Sequence, residues 1–190
     1  SELKGAGYST TELQDVGFGA EELRAAGTSL AELTSAGASV AELKAAGISA
    51  IGLKAEDISL HEMKTVGYTV KELKTANFTV QELHEVGFPA YELTAVGFTA
   101  KELREGGYTQ ADELKAAGCV VKELKEGGFA VRELRKGGYT AAELTGDGEY
   151  TVKELKDGGF PAKELKDAGL TAFELRKGGF QARALQIAEF

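Results

Sequence analysis

Residues 93–103 read Leu93-Thr94-Ala95-Val96-Gly97-Phe98-Thr99-Ala100-Lys101-Glu102-Leu103, and this stretch decides the fold. Thr99 and Glu102 stand at the spacing of a capping box. The Thr hydroxyl accepts from the Glu amide, and the Glu carboxylate accepts from the Thr amide. A helix therefore starts at Thr99. The helix before it stops at Gly97, where a left-handed residue is needed and only Gly avoids a Cβ penalty. Phe98 has two neighbours to pack against. A Schellman end sets it against Leu93 behind, and a hydrophobic staple sets it against Leu103 ahead.

The same pattern runs the length of the chain. Leu recurs every ten residues from Leu3 to Leu103, with Met63 in one place; one extra residue precedes Leu114, another precedes Leu155, and the series ends at Leu185. Nineteen units with consensus E-L-K-x-A-G-F-T-A-x cover residues 1–190 as a single repeat domain. A continuous helix is excluded, since a ten-residue period turns the apolar stripe by roughly 80° per repeat. A Gly in every unit would also cost about 1 kcal/mol each. The boxes recur at Thr69–Glu72, Thr79–Glu82 and Thr171–Glu174, and Asn77 and Asp57 stand where Gly is expected. Val70, Leu73 and Ala76 form the apolar face.

No unit folds alone. Ordering ten residues costs on the order of 15 kcal/mol. Burying one Leu, one ring and two small residues removes ~500 Å² from water, worth about 12 kcal/mol. Stability must come from stacking, which predicts an all-α solenoid of short helices. The connections are so short that consecutive helices turn sharply, and the expected coil holds four helices, like the sides of a square. The inserted residues lie in Thr109-Gln110-Ala111-Asp112, where Asp112 can complete a capping box with Thr109, and in Asp147-Gly148-Glu149-Tyr150-Thr151.

A pentapeptide-type right-handed β-helix is the rival fold, because Leu3, Tyr8, Leu13 and Phe18 are also five apart. Its second inward row would hold Glu21, Lys71, Lys101, Lys122, Arg132, Lys153 and Lys163. Burying that ladder of charges costs several kcal/mol each, and the capping boxes would go unexplained. The E-L-x-x-x-G-[FY]-[ST] units resemble the tandem decapeptide-repeat proteins of uncharacterised function. That resemblance covers the whole chain and implies no activity.

Composition narrows the function. The net charge of -8 argues against a nucleic-acid partner. No apolar run approaches the ~18 residues of a membrane span. With no signal peptide visible and one Cys, a cytoplasmic setting is expected. His61 and His84 stand in surface slots without further ligands at metal-binding spacing, so no metal and no cofactor is expected. Cys119 takes a ring slot and reads as core. Glu recurs in nearly every unit and reads as a cap, not as a catalytic acid. Lys74, Arg104, Lys115, Lys125, Arg135, Lys156 and Lys166 form a periodic basic stripe, read as a solvated face or as a recognition surface for an acidic partner.

Ile51, Tyr91 and Phe173 are the candidate partner contacts, because each stands at a normally polar position. Local packing across a corner is the plainer explanation. Both ends of the array are expected to expose core and favour self-association. The expected function is a non-enzymatic repeat scaffold that binds an unknown protein or itself. The alternatives are an acidic rod mimicking DNA and an ice- or surface-binding repeat.

Overall fold

The computed structural model describes residues 5–146 and 150–190. Among the described residues lie eighteen short helices, from Thr10–Asp15 to Ala182–Ile187, one per repeat, and no strand. The β-helix is thereby excluded. Its inward row, Glu21, Lys71, Lys101, Lys122, Arg132, Lys153 and Lys163, is exposed at every position. The Leu3 unit's start and the insertion at 147–149 lie outside the described residues. No described helix is long and apolar enough to cross a membrane. The chain divides into two compact units, Ser1–Gly87 and Phe88–Phe190.

The deciding stretch folds as its residues require. Gly97 has φ +80°. Phe98 N donates to Leu93 O at 3.1 Å and Gly97 N to Thr94 O at 2.9 Å, the two bonds of a Schellman end. Thr99 N donates to Glu102 Oε2 at 2.7 Å, and Glu102 N to Thr99 Oγ1 at 3.2 Å. Asp57 and Asn77 take the left-handed conformation that Gly holds elsewhere, at φ 55° and 56°. Val70, Leu73 and Ala76 are all buried.

Helices stack on the helix two repeats away. In the first unit Ala20–Ala25 packs on Val40–Ala45, and Ala50–Ala55 on Val70–Thr75. In the second unit one row runs through Ala90–Ala95, Ala111–Ala116, Val131–Lys136, Val152–Asp157 and Ala172–Lys177. In the same unit Ala100–Glu105 packs on Val121–Glu126, and Ala141–Gly146 on Ala162–Asp167, which packs on Ala182–Ile187. A coil in each unit therefore holds two helices, and the expected four is corrected. One Leu, a ring or other apolar residue and two small side chains per repeat suit the space between two facing rows, whereas a square of four would enclose a void that a close-packed interior does not hold.

Tyrosine hydroxyls mark this two-repeat step. Tyr68 Oη donates to Ile48 O at 2.6 Å, and Tyr150 Oη to Phe129 O at 2.7 Å. Tyr108 Oη donates to Phe88 O in the same way. A buried phenol needs such a partner, and the backbone of the neighbouring coil supplies it.

The first insertion behaves differently from the expectation. Thr109 and Asp112 form no capping box; Gln110 is the N-cap residue of Ala111–Ala116 and makes no side-chain cap bond. Starting the helix at Thr109 would rotate Leu114 off its row by about 100°. Glu113 is used elsewhere: its Oε1 accepts from Ala90 N at 3.1 Å. Pro89, the N-cap residue there, has neither a hydroxyl nor an amide proton, so a carboxylate from two repeats on supplies the missing acceptor.

Candidate functional site

The basic residues after each Leu hold neighbouring coils together. Lys115 Nζ donates to Gly138 O at 2.8 Å, sits 4.7 Å from the Tyr139 ring centre and lies 2.8 Å from Glu143 Oε1. Arg104 lies over Phe129 at 4.3 Å and meets both oxygens of Glu133 at 3.1 Å. Lys125 pairs with Tyr150 and Glu154, and Arg135 with Phe160, Glu164 and the Gly159 carbonyl. In the first unit Lys44 Nζ reaches Val66 O at 3.0 Å and Tyr68, and Lys54 Nζ reaches Asn77 O at 2.7 Å and Phe78.

Lys115 and Arg135 each meet three things a cation favours: a carbonyl at a helix C-terminus, an aromatic face and a carboxylate. Arg104 and Lys125 meet a ring and a carboxylate, and Lys44 and Lys54 a carbonyl and a ring. The stripe is not a solvated face or an open recognition surface. It is a ladder of internal staples.

The sequence carried a signal for this ladder that repeat reading overlooked. The stapled ring lies twenty-four residues after its cation, or twenty-five across an insertion: Lys44 with Tyr68, Lys115 with Tyr139, Arg135 with Phe160, Lys156 with Phe180. Where the ring is absent within a unit, the cation is usually absent too: Gln14 precedes Ala38, Thr34 precedes Ile58, Thr94 precedes Cys119 and Thr145 precedes Leu170 at the same spacing. Arg24 before Ile48 departs from this rule, yet its guanidinium still donates to the Ala46 carbonyl.

Between Thr94 and Cys119, where the staple is missing, lies a cleft of about 500 Å³, lined by Tyr91, Thr94, Phe98, Gly118, Cys119 and Glu123 among others. The corresponding clefts beside the intact Lys125 and Arg135 staples measure about 430 Å³ each. Thr94 Oγ1 donates to the Ala117 carbonyl at 3.0 Å and to its own helix at Tyr91 O, 3.1 Å away. Glu123 is exposed and accepts from Val120 N at 3.3 Å. Cys119 is buried, and burial pushes its thiol up, with the Glu123 charge adding to the shift, so it is a poor nucleophile.

The three proposed contact residues are open to solvent, at 53% for Ile51, 59% for Tyr91 and 75% for Phe173. Packing across a corner therefore does not account for them. Ile51 lies in the first unit, and Tyr91 and Phe173 lie in the second. Tyr91 and Phe173 hold the same helix position on the first and last helices of one row, with Asp112, Arg132 and Lys153 at that position between them. His61 and His84 are exposed, and among the described residues no His, Cys, Asp and Glu group could hold a metal.

The capping carboxylates make stability depend on pH. Glu72 is held below its usual 4.5, first by the Thr69 amide and then by its hydroxyl. Glu143 is lowered first by Lys115 and then by the Thr140 amide. Burial raises Glu154, but bonds from Thr151 and the charge of Lys125 outweigh it and leave it lowered. A lowered folded-state value means stability fully present above the unfolded value and lost as pH falls through the folded one. Burial pushes Tyr108 and Tyr139 up to about 12 from 10.0, so their contribution is present below 10 and lost toward 12. Urea unfolding across pH should give a plateau, an acid fall beginning near 4.5 and an alkaline fall between 10 and 12. A stability that is flat through both limbs would contradict these roles.

Neither characterised proteins nor solved structures give a match to this chain. The family model of the decapeptide repeat region matches four overlapping stretches, residues 1–60, 57–118, 97–149 and 109–182. Those matches follow the same ten-residue units that the helices follow, and the chain belongs to the decapeptide-repeat family.

Proposed function

We propose that this protein is a non-enzymatic repeat scaffold that binds another protein or assembles with itself. The observation that carries the reading is a division of labour among side chains. The periodic groups that could do chemistry are largely engaged in the fold: cap hydroxyls such as Thr99 with the Glu before the Leu, and the Lys or Arg after the Leu in staples. Ile51, Tyr91 and Phe173 are left exposed at positions where most repeats are polar. Exposed aromatic and aliphatic side chains are what protein interfaces use as anchors. The same bonding disfavours the alternatives. An ice-binding face needs free Thr hydroxyls, and a DNA mimic needs unpaired carboxylates.

The test is a variant carrying Ile51→Ser, Tyr91→Ser and Phe173→Ser, compared with the parent chain by lysate capture and light scattering. The parent should capture a defined protein or self-associate, and the variant should lose most of that. Its stability should stay within about 0.5 kcal/mol per site, as exposed substitutions do. A parent chain that is monomeric and captures nothing, or a variant that behaves like the parent, would sink the scaffold reading.

A further inference from the structure

The ladder of staples has a vacancy, and the vacancy has a defined chemistry. Further along the same row, Lys115 and Arg135 each bridge a helix-terminal carbonyl, a ring and a capping carboxylate; for Lys115 these are Gly138 O, Tyr139 and Glu143. At the Thr94 rung the matching positions are Gly118, Cys119 and Glu123, and Thr94 Oγ1 stops at Ala117 O. The cation is missing, and so is the ring that would have covered it. Tyr91 lines the same cleft at a helix position held by Asp112, Arg132 and Lys153 elsewhere along its row, so an aromatic side chain is present there. A carbonyl, a carboxylate and a ring therefore surround about 500 Å³ of open space without the positive charge found at the intact rungs.

We propose that this cleft receives an arginine side chain from a partner protein. The guanidinium would lie against Tyr91, with its fork directed at Glu123 and the end of the helix Ala111–Ala116. Arginine suits the site because its planar group can stack on a ring and donate to a carboxylate and a carbonyl together. Charge favours the same occupant, since the chain carries a net -8. This deepens the scaffold reading, on which it rests: it names one docking point and the chemistry of what docks.

The experiment is an NMR titration of the isotope-labelled full chain with the peptide acetyl-Gly-Arg-Gly-amide and with its citrulline counterpart, which keeps the shape and loses the charge. The arginine peptide should shift the amides of Tyr91, Gly118, Cys119 and Glu123, and the citrulline peptide should bind at least tenfold more weakly. Thr94→Lys supplies the missing staple from within, so it should abolish the shifts and raise the melting temperature. Glu123→Gln, at an exposed side chain, should weaken binding about tenfold and decides the matter if the lysine variant does not fold. Equal binding of both peptides, shifts centred elsewhere, or undiminished binding to folded Thr94→Lys would overturn the proposal. So would spermidine shifting the same amides as strongly as the peptide, because the occupant would then be a small polyamine. Protein capture that persists in Thr94→Lys, with no peptide effect, removes the cleft and leaves the scaffold. Peptide binding without any captured or self-associated protein removes the scaffold and leaves the cleft.

Discussion

Leu134→Ala should lower stability by about 2–5 kcal/mol, as truncation of a fully enclosed leucine does. Leu134 is 0% exposed on the helix Val131–Lys136, and its carbonyl accepts from Tyr139 N at 3.0 Å. For a chain of this length the melting temperature should fall by roughly 4–20 °C. The loss should also be local. In a stacked array each element is held by its neighbours, so removing one filling weakens two interfaces. Here those are with Ala111–Ala116 and Val152–Asp157. Amide exchange should quicken first in these three helices and fade along the row. Val120→Ala, at a side chain 54% exposed, should change stability by less than about 0.5 kcal/mol. Equal melting temperatures for the two variants would mean that the leucine row is not the core.

That row was legible because its signals are local. Leu93, Gly97, Phe98, Thr99, Glu102 and Leu103 lie within one repeat and its neighbour, and each has a backbone or capping reason for its place. The number of helices per coil was not legible in that way. It depends on how far a linker of Gly, ring and cap swings the chain, and short-range propensity does not set that angle. The determining contacts span two repeats, as Tyr68 to Ile48 and Lys115 to Tyr139 do. They become visible in sequence only by comparing positions twenty-four apart, across an intervening repeat. The Thr94 vacancy was hidden for the same reason. Thr94 and Cys119 each look like single substitutions until their shared register pairs them. Tyr91, by contrast, announced itself as an aromatic residue in a polar slot.

Gly158→Ala is the sharpest test of that register, because local reasoning gives it the opposite sign. Gly158 ends the helix Val152–Asp157 with φ -72°, so nothing in its backbone requires glycine. Ala46 and Ala76 occupy the same slot in the first unit. Propensity alone would credit alanine with a gain of up to about 1 kcal/mol. The neighbouring coil reverses this. A Cβ on Gly158 would lie 2.6 Å from Val131 Cβ, closer still to Val131 Cγ1, and 3.2 Å from Glu154 O. Two helices would have to part, and such overpacking costs about 1–3 kcal/mol. Gly137 is in the same position, with a Cβ 2.6 Å from Asp112 N, and Gly178 meets Val152 in the same way. Gly146, inside the helix Ala141–Gly146, has nothing within 4 Å of its missing Cβ. Alanine there should stabilise by about 0.5–1 kcal/mol. Chemical denaturation of these four single variants should therefore give three losses and one gain. Four gains would show that the coils lie further apart than described, with these glycines serving only the turn.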